Sequence, residues 1–192
     1  MNKFIELLEK FHPMSPDLKS KIYDSLLRME FQPKQHLFVG GQIPRSLYFV
    51  ESGMLESYVN EDSGRRYSAF WSAGSIIYYH TNIWNRAIAD ESLIAQRFSI
   101  VHSLPYESLF EIHKLFSEFN YHIAGFLERM NLELERRIRI LSMKYTDGRV
   151  SKFMEYYGQI AYDIPVTHLA QFLCMSESTY YAILKQQKRL KK

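Results

Sequence analysis

The chain of 192 residues contains one cysteine, Cys174. No internal disulfide can form, and one thiol cannot hold an iron–sulfur cluster or a structural zinc site. A reducing cytoplasm is the simplest compartment for such a chain. No apolar run approaches transmembrane length, so no membrane contact is expected. Residues 1–10 lack a long apolar core, so no secretory signal is expected there. Also missing are a glycine-rich phosphate loop, a His-Glu-x-x-His pair and a nucleophile elbow, which leaves an enzyme without support. Glu61-Asp62 and Asp90-Glu91 are adjacent carboxylates in loop-like stretches, where they solvate turns. His80 and His102 stand alone and read as ordinary hydrogen-bonded histidines, so neither a metal nor another cofactor is expected. What the chain does have is apolar surface. It is 46% hydrophobic and 15% aromatic, enough for a packed core and too much for disorder.

Three patterns follow one another. Residues 4–9 and 16–29 look helical, with Ile22, Leu26 and Met29 on one stripe. From 31 to 102 the pattern becomes short runs rich in Phe, Tyr, Val and Ile, broken by turn residues. These runs are 35–39, 46–51, 54–59, 65–71 and 93–102, a spacing that predicts a small antiparallel barrel or roll. From 113 to about 143 the period is helical again. Phe116, Phe119, Ile123, Phe126 and Met130 recur every three or four residues, and Leu134 continues the line. So long a stripe reads as a homodimer seam, with burial against the chain's own roll as the alternative. Thr146-Asp147-Gly148 is a turn signal and an expected hinge, followed by a helix over 150–157 with Gly158 as its cap. The expected division is a roll over 1–112, a long helix over 113–145 and a helical C-terminal domain over 146–192. The fold class is α+β. Arg136, Arg137 and Arg139 read as a solvated face, with a late DNA contact as the alternative.

Residues 164–189 predict two short helices joined by a tight corner. Thr167 is placed to cap the first, which carries Leu169, Ala170 and Leu173 on one side. Small Ala170 suits the place where two helices cross. Ser176 precedes the second helix, where Tyr180, Ile183 and Leu184 face inward. Ser178, Tyr181, Ala182 and Lys185 then face outward, as a helix entering a major groove requires. Residues 149–192 carry seven basic and three acidic side chains, whereas 1–148 carry 17 and 18. Positive charge therefore collects beside the helical hairpin, as phosphate contact demands. Phosphate-contact candidates are Thr167, His168, Ser176, Thr179, Lys185 and Lys188. Glu177 could accept from a cytosine amino group, and Tyr181 or Ser178 could reach a base edge. The other concentration is aromatic: Tyr67, Phe70, Trp71, Tyr78, Tyr79 and Trp84, with Arg86 nearby. It either fills the roll or lines a pocket for a small apolar or planar effector.

The order of these parts resembles the Crp/Fnr superfamily of bacterial transcription regulators. The stretch "LFVGGQIPRSLYFVESGMLESYVNEDSGRRYSAFWSAGSII" is similar to that family's cyclic-nucleotide-type roll, through Gly41, Leu47-Tyr48-Phe49-Val50, Ser52-Gly53 and the loop ending at Gly64. The long helix resembles its dimerisation helix, and "VTHLAQFLCMSESTYYAILK" its helix-turn-helix of winged-helix type. The short end after the recognition helix resembles members of Bacteroidetes type. The resemblance implies a cytoplasmic, homodimeric regulator of double-stranded DNA with a small-molecule effector still to be identified. Departures qualify it. Cyclic-AMP-binding members carry a Gly-Glu pair and an Arg-Ser/Thr-Ala run. Here the matching stretches read Gly74-Ser75-Ile76-Ile77 and Ala89-Asp90-Glu91-Ser92-Leu93, and carboxylates there repel a phosphate. No response to cyclic AMP is expected. The family's early recognition-helix arginines are replaced by Glu177 and Ala182. Cys174 stands where the family has glycine, so a corner of different geometry is expected, with the cysteine as a small buried hydrophobe. The competing reading is a dimeric ligand- or protein-interaction module with a degenerate helix-turn-helix.

Overall fold

The computed structural model describes residues 2–62, 64–78 and 87–190. The chain divides into two compact units, one of Met1–Val59 with Ala69–Glu128 and one of Asn60–Ser68 with Arg129–Lys192.

In the first unit, helix α1 (Lys3–Phe11) starts because the Asn2 carboxamide accepts the Phe4 amide at 2.8 Å. It buries Phe4, Ile5 and Leu8. Helix α2 (Pro16–Ser25) has Ser15 as its cap and proline in its first turn. The helix expected to reach Met29 ends at Ser25. Strand β1 (Leu27–Phe31) takes over and pairs antiparallel with β8 (Ser99–Pro105), setting Met29 opposite Val101. The helical stripe is overridden by a partner some seventy residues away.

The remaining strands are β2 (His36–Phe38), β3 (Ser46–Ser52), β4 (Met54–Glu61), β5 (Gly64–Ser72), β6 (Ile76–Ile77) and β7 (Ser92–Ala95). They form two four-stranded sheets, in the orders β1-β8-β3-β6 and β2-β7-β4-β5. The expected roll is thus present, with the run 93–102 split into β7 and β8. Gly53, at φ 94°, makes the tight β3–β4 turn, where any Cβ would stand 2.3 Å from the Ser99 hydroxyl. Phe31, Phe38, Tyr48, Val50, Leu55, Ile77, Leu93 and Val101 fill one continuous apolar cluster, with Trp71 packed against it.

Helix α3 (Tyr106–Leu115) follows β8, and the long helix α4 (Phe119–Leu141) begins only after a break at Phe116. Phe119 and Phe126 are buried within the first unit. The Phe126 ring meets Phe4 at 6.3 Å and Phe11 edge-on at 5.9 Å. Gly125 permits this approach, since a Cβ there would fall 2.6 Å from the Phe11 ring. The aromatic stripe of α4 therefore belongs to the protomer's own core.

In the second unit, the end of α4 is joined to α5 (Thr146–Ala161), α6 (Val166–Phe172) and α7 (Glu177–Leu190). Asp147 and Gly148 lie in the first turn of α5 rather than in a turn before it, and the helix continues through Gly158. The chain break falls at 142–145 instead. No helix among the described residues is long and apolar enough to cross a membrane.

Candidate nucleic-acid interface

Helices α5, α6 and α7 are held by a small core. Phe153 meets Phe172 edge-on at 5.5 Å, and Leu169, Ala170, Leu173, Tyr180 and Ile183 are buried around them. Helix α6 starts at Pro165 without a side-chain cap, so the capping role expected of Thr167 is not taken up. Its end is well made. The Met175 amide donates to the Ala170 carbonyl at 3.0 Å and the Cys174 amide to the Gln171 carbonyl at 3.1 Å. This is the paired closure of a Schellman motif, which needs a left-handed residue at its corner. Cys174 supplies it, at φ 54°. The cysteine thus adopts the glycine-like corner rather than a different one, and it is exposed rather than buried. The bonds gained by closing α6 outweigh the cost of a side chain there.

Helix α7 begins as expected from Ser176. Its hydroxyl accepts the Thr179 amide at 3.1 Å and lies 2.8 Å from both the Ser178 and Thr179 hydroxyls. With Tyr180 and Ile183 turned inward, Glu177, Ser178, Ala182 and Lys185 are exposed, and Tyr181 is 55% exposed. Spacings of three and four put them on one face. Thr167 is exposed as well, whereas His168 is stacked on Tyr67 with ring centroids 3.8 Å apart. The side chain of Lys188 lies outside the described residues.

Of the three arginines expected to be solvated, Arg139 is exposed, whereas Arg136 and Arg137 are half-buried and pack against aromatic rings of this unit. Arg136 pairs with Glu133 at 2.6 Å, and Glu133 also accepts the Tyr157 hydroxyl at 2.7 Å. Burial and that carboxylate push the Tyr157 phenol far above its ordinary pKa. Arg137 sits 5.1 Å over the Phe172 ring, and Arg139 pairs with Glu135. A residue not singled out from sequence is Arg149. Its Nε donates to the Met143 carbonyl at 3.2 Å, and its Nη1 to the carbonyls of Leu173 at 3.2 Å and Cys174 at 3.4 Å. In the sequence it reads only as one more basic side chain after a turn signal.

Of the candidate effector residues, Tyr67 stacks on His168. Trp71 packs against the roll core and donates its indole N–H to the Ser57 hydroxyl at 2.9 Å. Phe70 and Tyr78 are buried. Tyr79, His80, Trp84 and Arg86 lie outside the described residues. His102 contacts the Glu51 carboxylate at 2.5 Å, an ordinary satisfied histidine.

The residues expected to form a dimer seam divide between two sides of α4. Phe119 and Phe126 are buried, Ile123 and Met130 are half-buried, and Phe116 precedes the helix. Leu134 is 50% exposed and lies in a different stripe: Ala124, Leu127, Asn131, Leu134, Ile138 and Leu141. Their spacings alternate strictly between three and four. Leu127 is 42% and Ile138 63% exposed, more than isolated surface leucines require an account of.

Residues 28–115 match the family of the cyclic nucleotide-binding domain. No curated protein matches the sequence. Among solved structures, the chain is similar to FixK2 from Bradyrhizobium japonicum, with a TM-score of 0.74 and 14% identity over 86% of this chain and 85% of that one. It is similar to the c-di-GMP responsive global regulator CLP of Xanthomonas campestris, with a TM-score of 0.71 and 14% identity over 91% of this chain and 92% of that one. A putative Crp/Fnr-family transcriptional regulator from Eubacterium rectale gives a TM-score of 0.71 and 16% identity over 93% and 88% of the two chains. The fold is therefore that of Crp/Fnr-type regulators, built on a cyclic-nucleotide-binding-type roll.

Proposed function

We propose that the chain is a cytoplasmic, homodimeric, DNA-binding transcription regulator of Crp/Fnr type, and not an enzyme. One observation carries this reading. A capped α7, set against α6 across a Schellman corner, leaves Glu177, Ser178, Tyr181, Ala182 and Lys185 exposed on one face. A buried hairpin would have no use for that polar face; a major groove does. Thr167, Ser176, Thr179, Lys185 and Lys188 are the phosphate-contact candidates, and His168 joins them once its stack on Tyr67 is released.

The dimer forms through the exposed stripe of α4, not through its aromatic side. A parallel copy would set Leu127, Leu134 and Ile138 against their own counterparts, with Asn131 facing Asn131. Two recognition helices would then enter successive major grooves about 34 Å apart, on a roughly palindromic operator. The roll serves as scaffold or as sensor of a small molecule other than cyclic AMP. Its Gly74–Ile77 stretch offers no carboxylate for a ribose, and Asp90 and Glu91 oppose a phosphate.

A second reading has one observation behind it. The first two turns of α7 expose no arginine, the usual reader of guanine. That favours a protein-interaction module retaining the hairpin for its packing. Mobility shift against fragmented genomic DNA at two salt concentrations separates the readings. The regulator should retain DNA at low salt and lose it steeply as salt rises. No retained complex at low salt would leave only the interaction module.

A further inference from the structure

We infer that Arg149 is a positioning residue that sets the aim of the recognition helix relative to the long helix; this rests on the DNA-binding reading. The guanidinium stands in the first turn of α5, where a helix dipole disfavours a cation. Its place is therefore not explained by the helix that carries it. Its donors go elsewhere: Nε to Met143, in the turn closing α4, and Nη1 to Leu173 and Cys174, at the closed end of α6. Both are ends where helix carbonyls lack internal partners and where positive charge is favoured. One rigid fork thus joins the end of the long helix to the corner from which α7 departs.

The corner has a second feature that needs such a hold. Cys174 sits in a left-handed conformation that side chains adopt rarely, so its carbonyl direction depends on what holds it. Arg137, over Phe172, supports α6 from the α4 side but touches no corner carbonyl in that contact. Without the fork, α6 and α7 still pack through Ala170, Phe172, Tyr180 and Ile183. The recognition helix would then remain folded and lose its fixed angle to α4.

The test uses the full chain and the palindromic duplex it selects from a random pool. Wild type should discriminate against duplexes with one base pair added or removed between half-sites, because a fixed angle fixes the half-site separation. Arg149→Met keeps the aliphatic stem and loses the fork. It should bind the selected duplex about tenfold more weakly, as for a lost set of charged hydrogen bonds, and accept the altered lengths nearly as well. Arg149→Lys, which keeps the charge as a single point donor, should fall between. A variant that weakens at all lengths equally, keeping the wild-type length preference, would show a plain phosphate contact and overturn the inference. Should Arg149→Met fail to fold, Arg149→Lys carries the same criterion. Should wild type select no duplex, the regulator reading fails. Hydrogen exchange at residues 173–176 then decides the positioning role: faster exchange in Arg149→Lys supports it, and wild-type rates overturn it.

Discussion

Two side chains sit in places that ordinary sequences avoid. Cys174 at φ 54° bears a left-handed backbone that costs an L-residue on the order of 1 kcal/mol or more. Cys174→Gly removes that cost and adds some freedom to the unfolded chain. The net gain should be on the order of 0.5–1 kcal/mol, read as a higher thermal midpoint with DNA affinity unchanged. A lower midpoint would mean the cysteine side chain makes compensating contacts. His122 is fully buried, with Nδ1 3.3 Å from the Glu118 carbonyl and Nε2 3.1 Å from the His12 carbonyl. A neutral ring has one N–H for two acceptors, and charging it would satisfy both, but burial holds its pKa below the usual histidine value. The folded state therefore takes up a proton less readily than the unfolded one. Stability is present above the unfolded value of about 6.5 and is lost as pH falls from there toward the depressed folded value. Glu118 and His12 are the titratable neighbours, and Glu118 is held below the usual carboxylate range by the Ser15 hydroxyl, so its own loss comes at lower pH. The midpoint difference between wild type and His122→Asn should narrow as pH drops from about 7 to about 5. Parallel curves would sink this assignment.

Helix α4 has two apolar sides, one buried in the subunit core and one exposed and proposed as the dimer seam, and the scale of the element is where they can be separated. Phe126→Ala would empty a space among Phe4, Phe11 and Phe119, costing about 3–5 kcal/mol in the unfolding of the subunit. Leu134→Glu and Ile138→Glu touch no core. They should leave the subunit folded and shift the solution mass from two chains to one. Asn131→Leu should raise dimer stability while loosening the choice of register and partner number. A monomeric wild type, or a dimer indifferent to Leu134→Glu, would place the seam elsewhere. Helix α7 offers a smaller test at its start. Ser176→Ala removes the bond to the Thr179 amide and should cost about 1 kcal/mol, with weaker DNA binding as the first turn frays.

For the whole molecule, the DNA-binding reading predicts a log-log decline of affinity with salt whose slope counts neutralised phosphates. Lys185→Ala should lower that slope by about 1 without changing sequence preference, whereas Glu177→Ala should change the preference and leave the slope nearly as it was. Legibility follows the range of the interactions involved. The run from Tyr48 to Tyr67 and the hairpin from Val166 to Leu184 could be read from local pattern, because apolar runs and turn residues mark their elements even where, as for β3 on β8, the paired strand is distant. Strand β1 could not, since Ile22, Leu26 and Met29 keep a helical spacing and only distant β8 pulls Leu27–Phe31 straight. The aromatic stripe of α4 misdirected the seam for a related reason: periodicity reveals that a face is buried, not what buries it. Arg149 was invisible because its partners are backbone carbonyls, which have no residue type. The solitary thiol has a practical corollary. A maleimide dye would attach at one address per chain, on the bend preceding α7, so energy transfer across the proposed dimer would track that bend as DNA or a candidate effector is added, with no cysteine needing to be removed first.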